Sequence, residues 1–308
     1  MMTFPKAPQY ETSHSVQTMR RALWLARLCK QALIAEAELT PKPGLVDQRG
    51  QGAHRDLSLP LMQKSAQVIE PYLAAMALAS ASTSVDQPLR EHLAFIGRQA
   101  ESAMYLATAG CNTHKGAIWV MGLLVVAASV ALPQTNAADL GSICAHLSSF
   151  EDRAAPLLVS HGHIVAHRYG FPGARGEARL GFPHVIEIGL PALRGFRRAG
   201  DSETIVRLNT LLSIMARLDD TCVLYRGHTD ALHFVKKASR GILDAGGCSS
   251  PAGRGQLREL DQRLLAWGVS PGGSADLLAA TLFLDAYENG QDDLQQDRSV
   301  WEFSHGTD

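Results

Sequence analysis

Cysteine pairs, alternating apolar and polar stretches, internal repeats and a strong charge of either sign are all missing from this 308-residue sequence, and each absence removes a class of protein. The five cysteines, Cys29, Cys111, Cys144, Cys222 and Cys248, show no C-x-x-C spacing. They read neither as a disulfide framework nor as a zinc motif, and reduced thiols in a cytosol are expected. A formal net charge of −1 argues against capture of nucleic acid as the main task. Without sustained alternation there is no signal for half-buried strands, and no period of roughly 20 to 50 residues marks a solenoid. The apolar run from Ala117 to Leu132 is shorter than the roughly 20 residues of a membrane span, and Lys115 and Pro133 flank it. The N-terminus, MMTFPKAPQYETSHSVQTMRRALWLARL, lacks the basic start and apolar block of a secretory signal, so a cytoplasmic location is expected.

What is present describes an ordinary globular chain, with 46% hydrophobic and 19% charged residues and enough length for a large core. The run GCNTHKGAIWVMGLLVVAASVAL, from Gly110 to Leu132, joins a polar cluster to the most apolar segment. With no face reserved for water, such a helix is expected to be buried all round. Its first turn then sits deep and carries Asn112, Thr113, His114 and Lys115 where unpaired N–H groups and the helix dipole favour an anion. A turn that merely caps a buried helix would explain Asn112 or Thr113, but gives no reason for His114 beside Lys115. A nucleotide P-loop is excluded, because Lys115 precedes Gly116 and no strand signal lies upstream.

Helical periodicity is expected over 16–38, 58–80, 88–109, 117–132, 136–150, 154–168, 184–199, 202–217, 228–245 and 255–267, with a last core helix opening at Ala275. The predicted fold is all-α: a single large helical bundle over 16–289, with a polar lead over 1–15, a polar tail over 290–308 and a ligand pocket formed by long inter-helix loops. Three polar clusters rich in glycine and proline punctuate it. The first, LTPKPGLVDQRGQGAHRD, carries Lys42, Asp47 and His54, and the second is the turn before Lys115. The third, GFPGARGEARLGFP from Gly170 to Pro183, is expected as a loop presenting Arg175, Glu177 and Arg179. Asp219 and Asp220 are placed at a helix end, where the dipole disfavours them, so compensation by magnesium or by Arg217 or Arg226 is expected. His163 and His167 share a helix face, but the glutamate of a zinc motif is missing. The turn Pro271-Gly272-Gly273-Ser274 opens the last helix and supplies further N–H donors.

Taken in order, LTPKPGLVD at 39–47, GAH at 52–54, NTHKG at 112–116, GARGEA at 173–178, GFP at 181–183 and GGSADLLA at 272–279 carry a resemblance. The chain resembles triphosphoribosyl-dephospho-coenzyme A synthases from about Ala32 to about Glu288. EAELTPKPGLVDQRGQGAHRDL looks more like the malonate decarboxylase branch than the citrate lyase branch. The resemblance implies an all-helical transferase using ATP and 3′-dephospho-CoA. The acceptor's 2′-hydroxyl attacks the anomeric carbon of ATP's ribose, adenine leaves, and the product becomes a prosthetic-group precursor for an acyl carrier protein subunit.

That chemistry needs a carboxylate near the anomeric carbon, an acid near adenine and cations for the triphosphate. Lys42, Lys115 and Arg175 are the phosphate-binding candidates, with Asn112, Thr113, Gly272, Gly273 and Ser274 beside them. Glu177 is the candidate base and His114 the candidate acid or phosphate contact. Asp47, Asp219 and Asp220 are candidate ligands for Mg2+. No nucleic-acid or membrane partner is expected, and a homodimer is left open. Two rivals remain at this point: a magnesium-dependent helical N-glycosidic hydrolase acting on ADP-ribose-like bonds, and a non-enzymatic CoA- or nucleotide-binding assembly factor.

Overall fold

Apolar residues recurring every three to four positions close into helices along the chain. The computed structural model describes residues 9–132, 134–155 and 161–304, with side-chain surroundings described for 15–132, 134–155, 162 and 164–290. The first five helices are α1 (Gln9–Glu38), α2 (Leu59–Ser80), α3 (Gln87–Ala107), α4 (Lys115–Val130) and α5 (Ala137–Ser149). Next come α6 (His161–Tyr169), α7 (Gly173–Arg179) and a π-helical turn over His184–Gly189 that runs into α8 (Leu190–Arg198). Helices α9 (Glu203–Met215), α10 (Thr221–Asp244), α11 (Pro251–Trp267) and α12 (Gly272–Ser304) complete the bundle. Among the described residues there is no strand, only an isolated bridge between Asp47 and Gly50. The all-α expectation holds, and no described helix is long and apolar enough to cross a membrane.

The bundle is built around α4. Ala117, Ile118 and every residue from Val120 to Ala128 are buried, so the helix has no wet side, and α1, α2, α3, α5, α7 and α12 pack around it. A helix buried this deeply cannot leave its last carbonyls to water. Arg21 of α1 supplies the donors, its guanidinium reaching Ala128 O at 2.7 Å and Ala131 O at 3.1 Å. Elsewhere the chain caps its own helices. Asp86, Asn136 and Ser250 accept from Leu89 N, Asp139 N and Gly253 N at the starts of α3, α5 and α11.

Three expectations fail locally. The segment from Gly170 to Pro183 is not a loop throughout, since α7 occupies Gly173–Arg179. Ala174, Arg175, Glu177, Ala178 and Arg179 are good helix formers, and positive φ at Gly170 and Gly181 limits the element to two turns. Asp219 and Asp220 do not end a helix. The preceding helix stops at Met215, and Asp220 is the N-cap of α10, where the dipole favours a carboxylate. The expected start at His228 is instead a kink within α10, at φ 58° and ψ −164°. The helix expected over 154–168 lies partly outside the described residues, as does the side chain of His163.

Four helix ends gather at one place: the end of α1 and the starts of α4, α10 and α12. The loop that follows α1 is fastened there by its own charges. Arg49 bridges Asp47 and Asp261 at 2.8 and 2.7 Å, and Gly44 N donates to the same Asp261 at 2.9 Å. At Gly44 (φ +68°) any Cβ would come within 2.7 Å of Val269 O, so only glycine lets the loop lie against the linker into α12. His54 closes the contact, with Nε2 2.9 Å from Ser270 Oγ.

Candidate active site

Lys42 turns back from the loop onto the last turn of α1. Its ammonium donates to Glu36 Oε1 at 2.5 Å and Glu36 O at 2.6 Å, and only 1% of the residue is exposed. A buried ion pair is costly to desolvate and survives by filling its hydrogen-bond capacity, as this one does in part through the backbone carbonyl.

His114 caps α4 on the other side of the same space. Ser65 Oγ of α2 lies 2.7 Å from His114 Nδ1 and takes the Thr113 hydroxyl proton at 2.7 Å. Ser65 accepts from Thr113 and keeps its own O–H to donate to Nδ1; in that arrangement the imidazole N–H is on Nε2. That Nε2 is buried and has no hydrogen-bond partner. Burial, with the Lys42 charge adding to it, lowers the His114 pKa to about 4, so the ring is a neutral N–H donor at neutral pH.

Three carboxylates share the space. Asp276, in the first turn of α12, presses Oδ2 against Gly116, where a Cβ would stand 2.1 Å from it. The residue keeps some accessible surface, yet enclosure of its carboxyl group raises its pKa well above the ordinary range, and the charges of Glu36 and Asp220 push the same way. Asp220 accepts from Ser274 N at 2.7 Å, Ser274 Oγ at 2.9 Å, Cys222 N at 2.9 Å and Gly273 N at 3.3 Å, tying α10 to α12. Burial raises its pKa as well, against the lowering effect of these donors. Three acids and one ammonium therefore meet a neutral histidine where four helix ends come together. Enclosed acids whose charged forms are disfavoured ionise more readily when positive charge develops beside them, so the arrangement favours such charge in a poorly solvated space.

A second pair lies on the third cluster. Glu177 of α7 is buried and accepts from His184 N and His184 Nδ1, both at 2.8 Å. Burial alone would lower the His184 pKa, but the hydrogen bond and charge of Glu177 outweigh it and the net shift is upward.

Sequence comparison decides the family. The family described as CitG, ATP:dephospho-CoA triphosphoribosyl transferase, matches residues 22–294. A probable 2-(5″-triphosphoribosyl)-3′-dephosphocoenzyme-A synthase of Pseudomonas fluorescens strain Pf0-1 is 50% identical over 273 residues, 88% of this chain and 94% of that protein. Proteins of the same name from Azotobacter vinelandii and Pseudomonas putida are 52% and 51% identical, covering 85% of this chain and 91% and 93% of their own lengths. The chain belongs to the CitG family. No solved structure matches it.

Within this CitG-family chain, the structure brings together only some of the candidate residues. Lys42, His114, Asp220 and Ser274 meet, with Thr113 and Gly273 at the edge. Lys115 lies outside the group, paired with Glu101 at 3.1 Å on the surface, while Asn112 accepts from Lys115 N at 3.2 Å. Arg175 is exposed. The N–H groups of Gly273 and Ser274 already hold Asp220, so the protein supplies its own anion to the start of α12, which opens at Gly272.

The three candidate metal carboxylates do not form a set. Asp47 is taken by Lys42 N, Arg49 N and the Arg49 guanidinium, Asp219 pairs with Lys236 at 2.7 Å, and Asp220 is filled as above. Among the described residues no group of three His, Cys, Asp or Glu side chains is arranged to hold a metal ion. Sequence reasoning passed over Glu36, Ser65, Asp276 and His184. Asp276 lies inside GGSADLLA and Glu36 just before TPKPG, which was the available signal; Ser65 and His184 emerge only once α2 and the π turn are in place.

Proposed function

We propose that this chain transfers the triphosphoribosyl group of ATP to the 2′-hydroxyl of 3′-dephospho-CoA. The acceptor oxygen forms a bond to the anomeric carbon of ATP's ribose, the bond from that carbon to adenine breaks, the hydroxyl proton passes to a base that returns it to solvent, and the leaving adenine takes one proton from solvent. The observation that carries this reading is the meeting of Glu36, Asp220 and Asp276 with Lys42 and neutral His114. Breaking an N-glycosidic bond builds cationic character on the ribose, and a carboxylate-rich pocket stabilises that charge more in the transition state than in the ground state. Membership of the CitG family supports the same conclusion.

In this reading Glu177 is the base, and its contact with His184 gives the received proton a second place to reside. His114 Nε2–H points its unpaired donor at adenine or at a phosphate oxygen. Lys115 and Arg175 meet the triphosphate from the rim with Asn112 and Thr113. Lys42 and the Gly272-Gly273-Ser274 turn act by holding Glu36 and Asp220 in place, since their donors are occupied. Among the described residues, Asp47, Asp219 and Asp220 do not fit a resident magnesium. Mg2+ enters as part of the ATP substrate, bound to phosphate oxygens.

The product serves as prosthetic-group precursor for an acyl carrier subunit, with malonate decarboxylase favoured over citrate lyase by the stretch Glu36–Leu57. Adenine release tests the reading directly. It should require 3′-dephospho-CoA, whereas release from ATP alone would show that water is the acceptor and overturn it. Glu177→Gln should lower kcat by roughly 100-fold or more if Glu177 is the base; a near-normal rate removes Glu177 from that role.

A further inference from the structure

Beside α7 the structure leaves positive charge without a counter-ion. Arg90 of α3 is 8% exposed, yet its Nε has no hydrogen-bond partner. Its guanidinium lies over the Trp119 ring of α4, 5.0 Å from the centroid. Trp119 is held in turn by its Nε1–H, which donates to Ala174 O at 3.2 Å, directly before Arg175. Arg175 is exposed and makes no hydrogen bond or ion pair among the described residues.

The surrounding acids do not balance this pair. Burial is the main cause of the lowered Arg90 pKa; Asp152 opposes it, and Arg175 and Arg98 add to it as like charges. Asp152 is committed to Arg98 at 2.6 Å and Glu91 to Arg153 at 2.5 Å. Four guanidiniums, Arg90, Arg98, Arg153 and Arg175, thus face two carboxylates, Asp152 and Glu91, an excess of two positive charges. An orphaned buried guanidinium N–H costs free energy that an anionic acceptor would recover. A planar fork receives phosphate or carboxylate oxygens alike, and the excess of two positive charges favours linked phosphates over a lone carboxylate.

We propose that Arg90, Trp119 and Arg175 form a subsite for the linked phosphates of a nucleotide substrate, with Trp119 as its flat wall. ATP and 3′-dephospho-CoA both carry that chemistry; the transferase reading puts Arg175 on the triphosphate of ATP, while the subsite itself does not depend on that reading.

The test titrates the full chain with inorganic pyrophosphate, ATP and 3′-dephospho-CoA, following tryptophan fluorescence and calorimetric heat. Pyrophosphate should change the fluorescence of the wild type, and Trp119→Phe should remove that change while heat is still released. Arg175→Gln should weaken pyrophosphate roughly 10- to 100-fold, the loss of one charge-assisted contact. Whichever nucleotide weakens in parallel is the substrate held here. Arg90→Gln should act the same way; should it fail to fold, the exposed Arg175→Gln carries the test alone. Wild-type affinity of Arg175→Gln for all three probes overturns the subsite. If the wild type forms the transferase product and Arg175→Gln does so with unchanged KM for both substrates, the subsite falls and the transferase reading stands. If the folded wild type forms no product but loses pyrophosphate binding on Arg175→Gln, the reverse holds.

Discussion

His114 shows how far a single residue could be read from its neighbours in sequence. NTHKG pointed to an anion near a helix start, and the structure puts His114 at that start, but it turns Lys115 outward to Glu101 and brings Lys42, 72 positions upstream (114 − 42), beside the ring instead. Which cation accompanies the histidine is a tertiary fact. The consequence is measurable. An ordinary histidine pKa is about 6.5, and the folded value here is about 4. Between those limits the unfolded chain binds the proton and the folded chain does not. The stability contributed by the buried neutral ring is therefore complete above pH 6.5 and falls as the pH drops toward 4, while the raised pKa values of Asp276 and Asp220 act in the opposite sense. His54, also lowered to about 4, by burial first and then by the Arg226 charge, acts in the same sense as His114. His114→Asn should flatten part of the slope of the urea midpoint over this range; an unchanged slope would mean the ring is not buried neutral.

At the scale of elements, sequence patterns fixed helix existence better than helix ends. The buried character of α4 followed directly from Ala117 to Ala128 lacking any polar face. The ends of α9 and α10 did not, because LDDTCVLYRG carries helical periodicity straight through a break that Asp220 makes by capping. The short α7 was hidden by the four glycines in and beside it, Gly173 and Gly176 inside and Gly170 and Gly181 flanking, whose usual meaning is a loop. The start of α4 offers a sharp test. Alanine is intrinsically favoured over glycine inside a helix by roughly 1 kcal/mol, so Gly116→Ala ought to stabilise an uncommitted helix. Here the added methyl collides with Asp276 Oδ2. We expect kcat to fall at least tenfold with no gain in thermal midpoint; a more stable and fully active variant would separate Asp276 from the site. In the core of the same helix, Leu124→Ala should cost roughly 2–5 kcal/mol in denaturant unfolding, because Leu124 is fully buried.

For the whole molecule, the all-helical architecture was legible from composition and period, whereas the site was legible only as a set of motifs without their mutual arrangement. GGSADLLA and TPKPG did mark the two segments that meet, yet nothing in them singled out Asp276 and Glu36 as the acids that face each other before α1, α4 and α12 were packed together. The dispersal of Asp47, Asp219 and Asp220 carries its own prediction: equilibrium dialysis should find no tightly bound Mg2+ on the protein alone and stoichiometric Mg2+ once ATP is added. Tight binding without nucleotide would require a metal site that the described side chains do not form. The central claim is transfer of a triphosphoribosyl group, and mass analysis of the nucleotide pool tests it most directly. Purified chain incubated with ATP, Mg2+ and 3′-dephospho-CoA should yield the 2′-(5″-triphosphoribosyl) adduct together with one free adenine per adduct. Folded protein that leaves 3′-dephospho-CoA unmodified would contradict the account.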